Sequence, residues 1–169
     1  PRSTLDRSSA ASDVYKRQVQ AVQAQKELET FPEWVINKSE VLRKQKLIKE
    51  SIQNLIYMLE NFPTNELSPK AQYMIGDIYM NDLRDFNSAI NAYNNVVNKF
   101  PGTDQEAQAQ FMIGYIYANI LGDKSKAEKN YKSFLNQFPD HELAPSVKFE
   151  LDYLGKDINE IDVLKHITS

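Results

Sequence analysis

Histidine is the side chain most readily recruited for proton transfer or metal ligation near neutral pH. This 169-residue chain has two, His141 and His166, 25 positions apart. Each falls in a terminal loop or tail, and there is no cysteine to complete a zinc site, attack as a thiolate or form a disulfide. His141 follows Phe138-Pro139-Asp140 and reads as an exposed loop residue. No glycine-rich phosphate loop, serine-nucleophile motif or paired-carboxylate motif stands out. Asp and Glu are scattered as solvated residues are. Types and spacing therefore point away from catalysis. No catalytic, cofactor-binding or metal-ligating residue and no small-molecule substrate is expected.

Positive charge concentrates once, at Lys38, Arg43, Lys44, Lys46 and Lys49. With a net charge of −3 and no interleaved aromatics, these residues read as a solvated helix face rather than a nucleic-acid or lipid patch.

The elements that carry these residues follow from a stretch that occurs twice. Residues 71–101, AQYMIGDIYMNDLRDFNSAINAYNNVVNKFP, return without a gap as residues 109–139, AQFMIGYIYANILGDKSKAEKNYKSFLNQFP, 38 positions later. Phe-Pro closes both copies and also occurs 38 residues earlier, at Phe62-Pro63. Self-similarity at this period marks stacked helical units, each too small to bury its own apolar stripe. With only five glycines, composition favours helix over sheet.

Within the units, Ile52, Leu55, Ile56 and Leu59 fall at i, i+3, i+4 and i+7 of a helix. Ser68-Pro69 reads as an N-cap followed by proline at the first helical position. Asp85 and Asp123 stand where a short turn hands over to a second helix and can accept from its free N–H groups. Thr103 to Glu106 spells a capping box. Gly76 and Gly114 lie mid-helix, where glycine costs about 1 kcal/mol against alanine; a partner helix approaching too closely for a Cβ accounts for them. Ala89 and Ala127 sit one turn before Tyr93 and Tyr131 on a shared face. Phe100 and Phe138 plug the seams.

The pattern Ile75-Gly76-x-x-Tyr79, Ala89-x-x-x-Tyr93, Pro101 resembles the tetratricopeptide repeat, and Ser51, Leu55 and Pro63 hold the same spacing more weakly. Two departures stand out. Gln72 and Gln110 replace the large aromatic usual early in the first helix, and the unit is lengthened by one residue in its inner turn and three between units. The resemblance implies an all-α, right-handed helical-hairpin solenoid of about three repeats. It also implies a non-catalytic scaffold that binds a protein partner, as peptide or helix, in a groove lined by first helices. On that resemblance the groove residues are Tyr73, Asp77, Met80 and Asn81, then Phe111, Tyr115, Ala118 and Asn119. Asn81 and Asn119 also suit the capping of the inner turns. The Phe-Pro-Gly-Thr-Asp and Phe-Pro-Asp-His-Glu-Leu-Ala-Pro endings are similar to those of bacterial envelope repeat proteins, the Tol-Pal coordinator and the outer-membrane assembly lipoprotein. They imply a periplasmic or outer-membrane-associated setting; a cytoplasmic regulatory or chaperone-like adaptor is the alternative.

The expected organisation is a disordered tail over residues 1–18 and an N-terminal helical segment over 19–45 broken at Pro32. A repeat domain over 46–155 follows, then a tail over 156–169 with a short helix in Ile158–Ile167. Residues 1–18 resemble a non-native adapter scar, so membrane association is expected only through an N-terminal anchor missing from this sequence. No nucleic-acid partner is expected.

Overall fold

The computed structural model describes the backbone of residues 4–156 and, besides scattered positions upstream, the side chains of residues 30–156. His166 and the expected helix at Ile158–Ile167 lie outside the described residues. Among the described residues the regular elements are all helical. They are α1 (Thr4–Lys44), α2 (Ile48–Asn61), α3 (Ser68–Ile78), α4 (Phe86–Lys99), α5 (Asp104–Tyr115), α6 (Lys124–Gln137) and α7 (Ala144–Asp152). Each packs against the next in the chain, and α3 also touches α5, which is the nearest-neighbour pattern of a helical-hairpin solenoid.

The N-terminal helix differs from expectation. Where a disordered tail over 1–18 and a break at Pro32 were expected, α1 runs unbroken from Thr4 through Pro32 to Lys44. Proline inside a helix forfeits one backbone hydrogen bond. Here Pro32 is fully buried, and Phe31, Val35 and Ile36 beside it belong to the first core cluster, so tertiary packing outweighs the local penalty. Extending a helix already held by packing is far easier than nucleating one, so the upstream residues continue it. Pro32 also marks a register: Pro69 and Pro145 stand in the first turns of α3 and α7, at the start of a first helix. The last part of α1 thus stands as the first helix of a first pair, packed on α2. The pairs are α1/α2, α3/α4 and α5/α6, followed by α7.

The second helices carry the core in one repeating register. Ser51, Ala89 and Ala127 stand at equivalent positions, as do Leu55, Tyr93 and Tyr131, and Met58, Val96 and Phe134; all nine are fully buried. In α2 this moves the buried line off the expected stripe: Met58 is enclosed, whereas Ile56 is 41% exposed. An ideal Cβ built on Gly76 would lie 2.5 Å from Cε1 of Tyr93, and one on Gly114 2.5 Å from Cε1 of Tyr131. Close approach therefore accounts for both glycines, as their mid-helix position implied.

The extra residue of the inner turn has a structural form. α3 and α5 each end in a π-helical turn, Tyr79–Leu83 and Ile116–Ile120, in which Arg84 N–H donates to the Tyr79 carbonyl and Leu121 N–H to that of Ile116. One residue is absorbed as a wider turn without breaking the helix. The α1/α2 turn has no such π turn. A left-handed residue then reverses the chain at each inner turn, at Lys46 (φ 64°), Arg84 (φ 55°) and Gly122 (φ 68°).

The caps follow their chemistry. Asp85 accepts from Ser88 N–H and Asp123 from Lys126 N–H, both at 3.0 Å. Thr103 Oγ1 accepts from Glu106 N–H at 3.3 Å, and the Glu106 carboxylate reaches back to Gly102 N–H at 2.6 Å. Ser68 is a correction: it is the first residue of α3, not its cap, and its hydroxyl donates to the Phe62 carbonyl at 2.6 Å. It ties the loop to the helix end instead.

Candidate functional site

Packing of second helices against first helices leaves one side of α3, α5 and α7 to face outward. Of the eight residues expected on that face, Asn81 and Asn119 are exposed, while Tyr73, Asp77, Phe111, Tyr115 and Ala118 are half-buried. Met80 is a correction. It is 9% exposed and belongs to the second core cluster with Tyr93, Val96 and Ile113. Met80 lies in the π turn, where the wider winding shifts the side-chain register and turns this residue inward.

Asp77 is engaged within the fold. It accepts from the Tyr93 hydroxyl at 2.9 Å and faces Arg43 Nη1 at 4.0 Å. Arg43 also donates to Asp82, whose other oxygen is 3.9 Å from Lys46 Nζ. Arg43, read as part of a solvated face, therefore joins the first pair to the second. Tyr73 lies against Tyr93 with the rings tilted and their centroids 5.2 Å apart. Its hydroxyl pKa is pushed up to about 12 by burial, with Asp77 and Asp104 adding to the shift. Burial likewise raises Tyr93 and Tyr131. All three phenols stay protonated donors across the neutral range.

The repeat register extends this face onto α7. Tyr73, Phe111 and Phe149 occupy one position, and Asp77, Tyr115 and Tyr153 the next turn. Phe111 lies 6.3 Å from Tyr115, and Phe149 lies 4.5 Å from Tyr153. Tyr73 and Phe111 lean on the second-helix tyrosines of their own pairs. Phe149 is 47% exposed. Phe149 and Tyr153 were missed because the groove positions were carried only as far as the second copy; the 38-residue offset applied to the following first-type helix finds them. Asn119 donates to the Glu150 carboxylate at 3.2 Å, and the Tyr131 hydroxyl approaches the same oxygen at 3.4 Å. Asn119 thus bridges α5 to α7 rather than capping its turn.

Gln72 and Gln110, which replace the usual aromatic, are buried. Gln72 Nε2 donates to the Ala92 carbonyl at 3.2 Å and Gln110 Nε2 to Ser133 Oγ at 2.8 Å. Each fastens a first helix to its own second helix by a hydrogen bond in place of ring packing.

His141 is not the exposed loop residue expected. Its side chain is 14% exposed, lies edge-on to Phe134 and Phe138, and places Nε2 2.9 Å from Asp104 Oδ1. Nδ1 accepts from Leu143 N–H at 3.1 Å. Asn65, at the equivalent loop position two units earlier, accepts from Leu67 N–H at 2.9 Å. The imidazole therefore serves as a loop acceptor that holds the entry to α7. Among the described residues no three His, Asp or Glu side chains converge as a metal site would require, and no helix is long and apolar enough to cross a membrane.

Residues 70–103 and 108–141 each match the sequence model of the tetratricopeptide repeat, and these two adjacent windows coincide with the α3/α4 and α5/α6 pairs. The α1/α2 pair and α7 lie outside the matched residues. No curated protein matches the chain.

Proposed function

We propose that the two tetratricopeptide repeats, extended by the α1/α2 pair and by α7, form a non-catalytic scaffold that docks a protein segment along the outward face of its first helices. Tetratricopeptide repeats generally bind protein partners. The observation that carries the assignment to this face is the continuation of the aromatic register. Tyr115, Phe149 and Tyr153 present ring area to solvent at one-turn spacing across α5 and α7, with Asn81 and Asn119 polar and exposed beside them. Aromatic side chains bring large contact area at low entropic cost, which is why they dominate protein interfaces. Exposed carboxamides can pair with a bound backbone. Docking of this kind needs no reacting group, and His141 is used in loop packing and Asp85, Asp123 and Glu106 in capping.

The setting is part of the same proposal. The loop endings at Phe100 and Phe138 support a role in assembly or maintenance of a bacterial envelope, on the periplasmic side.

A position-specific cross-linking experiment tests the face. A photo-reactive phenylalanine analogue at Tyr115 or Asn119 should capture a discrete protein partner, whereas the same group at Tyr57, exposed on a second helix, should not. Equal capture at all three positions would overturn the assignment.

A further inference from the structure

A second, separate surface lies at the inner-turn edge of the first seam. There the α1/α2 turn meets the end of the second pair's first helix around a hollow of about 550 Å³. Its floor is Ile48, Ile52 and Tyr79, and Leu47 and Leu83 form its walls, 42% and 47% exposed. The solenoid contains its own controls for this place. Ile48 is the first residue of its second helix, and the equivalent residues are Phe86 and Lys124. Phe86 packs against the second core cluster, which Tyr117 and Ile120 also flank, so a phenyl ring covers that seam. At the third seam the stem of Lys124 lies over Gly155, close enough that a Cβ there would meet its Nζ at 2.6 Å. The first seam has only an isoleucine, and the space a ring would take is open.

The rim carries charge of mainly one sign. Lys46 and Lys49 line the hollow, and Glu50 is the one carboxylate among its lining residues. Lys46 is 82% exposed, and the carboxylate 3.9 Å from it, Asp82, is already bonded to Arg43. Arg84, next to Leu83, is exposed as well.

We infer that this hollow is a docking pocket for a partner protein, taking one bulky apolar side chain, phenylalanine or leucine in size, carried on an acidic segment. The ring-sized vacancy selects the anchor, and the lysine rim selects the flanking carboxylates. Its volume lies within the range of ligand-binding clefts, roughly 300–1,000 Å³. The pocket is distinct from the first-helix face and stands or falls independently of it.

The test uses the whole chain, isotope-labelled at methyl groups, titrated with the capped pentapeptide Asp-Glu-Phe-Glu-Asp. Saturable shifts of the Leu47, Ile48, Ile52 and Leu83 methyls are expected, with the Ala118 methyl on the first-helix face unmoved. Ile48→Phe, which copies Phe86, should keep or raise the melting temperature and abolish the shifts. Lys49→Glu, an exposed change that keeps the test informative should Ile48→Phe fail to fold, should weaken binding at least fivefold. Peptides with Ala for Phe, or with Lys flanks, should leave the spectrum unchanged. The inference is overturned if no pocket methyl moves at millimolar peptide, or if a folded Ile48→Phe binds as the parent does. It is equally overturned if phosphatidylglycerol vesicles shift these methyls while the peptide does not.

Discussion

Ser39 stands where the second and third pairs carry Gly76 and Gly114, and Leu55 stands where they carry Tyr93 and Tyr131. Where the facing side chain is a leucine a Cβ is present, and where it is a tyrosine the Cβ is gone. Gly76→Ala should therefore lose up to about 2 kcal/mol in urea unfolding, since overpacking costs about 1–3 kcal/mol and alanine recovers about 1 kcal/mol of helix propensity. Gly76→Ser combined with Tyr93→Leu, the pairing of the first unit, should be more stable than the two single changes sum to by about 1 kcal/mol or more. Strict additivity would refute the close-approach explanation. The caps give a pH dependence at the same scale. Asp85 is held below the ordinary carboxylate range by the Ser88 hydroxyl and backbone N–H, and Asp123 by the Lys126 backbone N–H and ammonium. A lowered folded-state pKa gives stability that is fully present above the unfolded value, about 4, and lost as pH falls through the folded value. Melting temperature should thus decline on acidification below about pH 4. Asp85→Asn with Asp123→Asn should make that decline shallower, as melting curves between pH 2 and 7 would reveal.

The seams between helix pairs are not built alike. At the first, Arg43 on α1 meets Asp77 and Asp82, with Arg43 27% and Asp82 12% exposed. At the second, the positions matching Asp77 and Asp82 are Tyr115 and Ile120, packed on the second cluster around Met80. Arg43→Met should destabilise by about 1–3 kcal/mol, because it strands two partly buried carboxylates. Adding Asp77→Tyr and Asp82→Ile, which copies the apolar seam, should recover that loss or exceed it. Denaturation of the single and triple variants at low and high salt checks this: the parent should lose stability with salt at this seam, and the triple variant should not. The π turns belong to this scale too. One inserted residue per inner turn was legible in the 38-residue period, but not its form. Any of several loops could have absorbed it, and the hydrogen bonds from Arg84 N–H to the Tyr79 carbonyl and from Leu121 N–H to that of Ile116 show that the helix widened instead. For the same reason the groove list, drawn on regular helical spacing, placed Met80 on the outward face.

Across the molecule, stacking makes stability a sum of neighbouring contacts. Helices packed on both sides should be the most protected, so amide exchange should be slowest in α4 and α5 and fastest in α7 and in α1 upstream of residue 30. The same logic explains what could be read in advance. The α3–α6 core was legible because identical residues recur at one offset, so Gly76, Ala89 and Tyr93 explain one another twice over. The first pair was harder to see. Its first helix has no π turn, which puts it one residue out of register, and Ser39 and Leu55 replace the signature pair. His141 was misjudged because loops carry no periodicity; its contacts with Asp104 and Phe134 form only when α5 and α6 meet across the chain. Lys148 and Asp152 on α7 stand where Gln110 and Gly114 receive a second helix, so the internal packing surface gives way there to a polar one, leaving Phe149 and Tyr153 on the outward face.

The central claim is that this outward aromatic face binds a partner, its rings resting against the core from outside rather than forming its centre. Its most direct test is a paired measurement on Tyr115→Ala: affinity for the cross-linked partner, and melting followed by circular dichroism, with Gly114→Leu alongside. The expected result is at least tenfold weaker binding with helicity retained and only a modest fall in melting temperature, since Tyr115 is half-buried against the second cluster, while Gly114→Leu disrupts the stack. If Tyr115→Ala unfolds the protein as severely as Gly114→Leu does, or folds normally and binds as the parent does, the face is not the docking surface described.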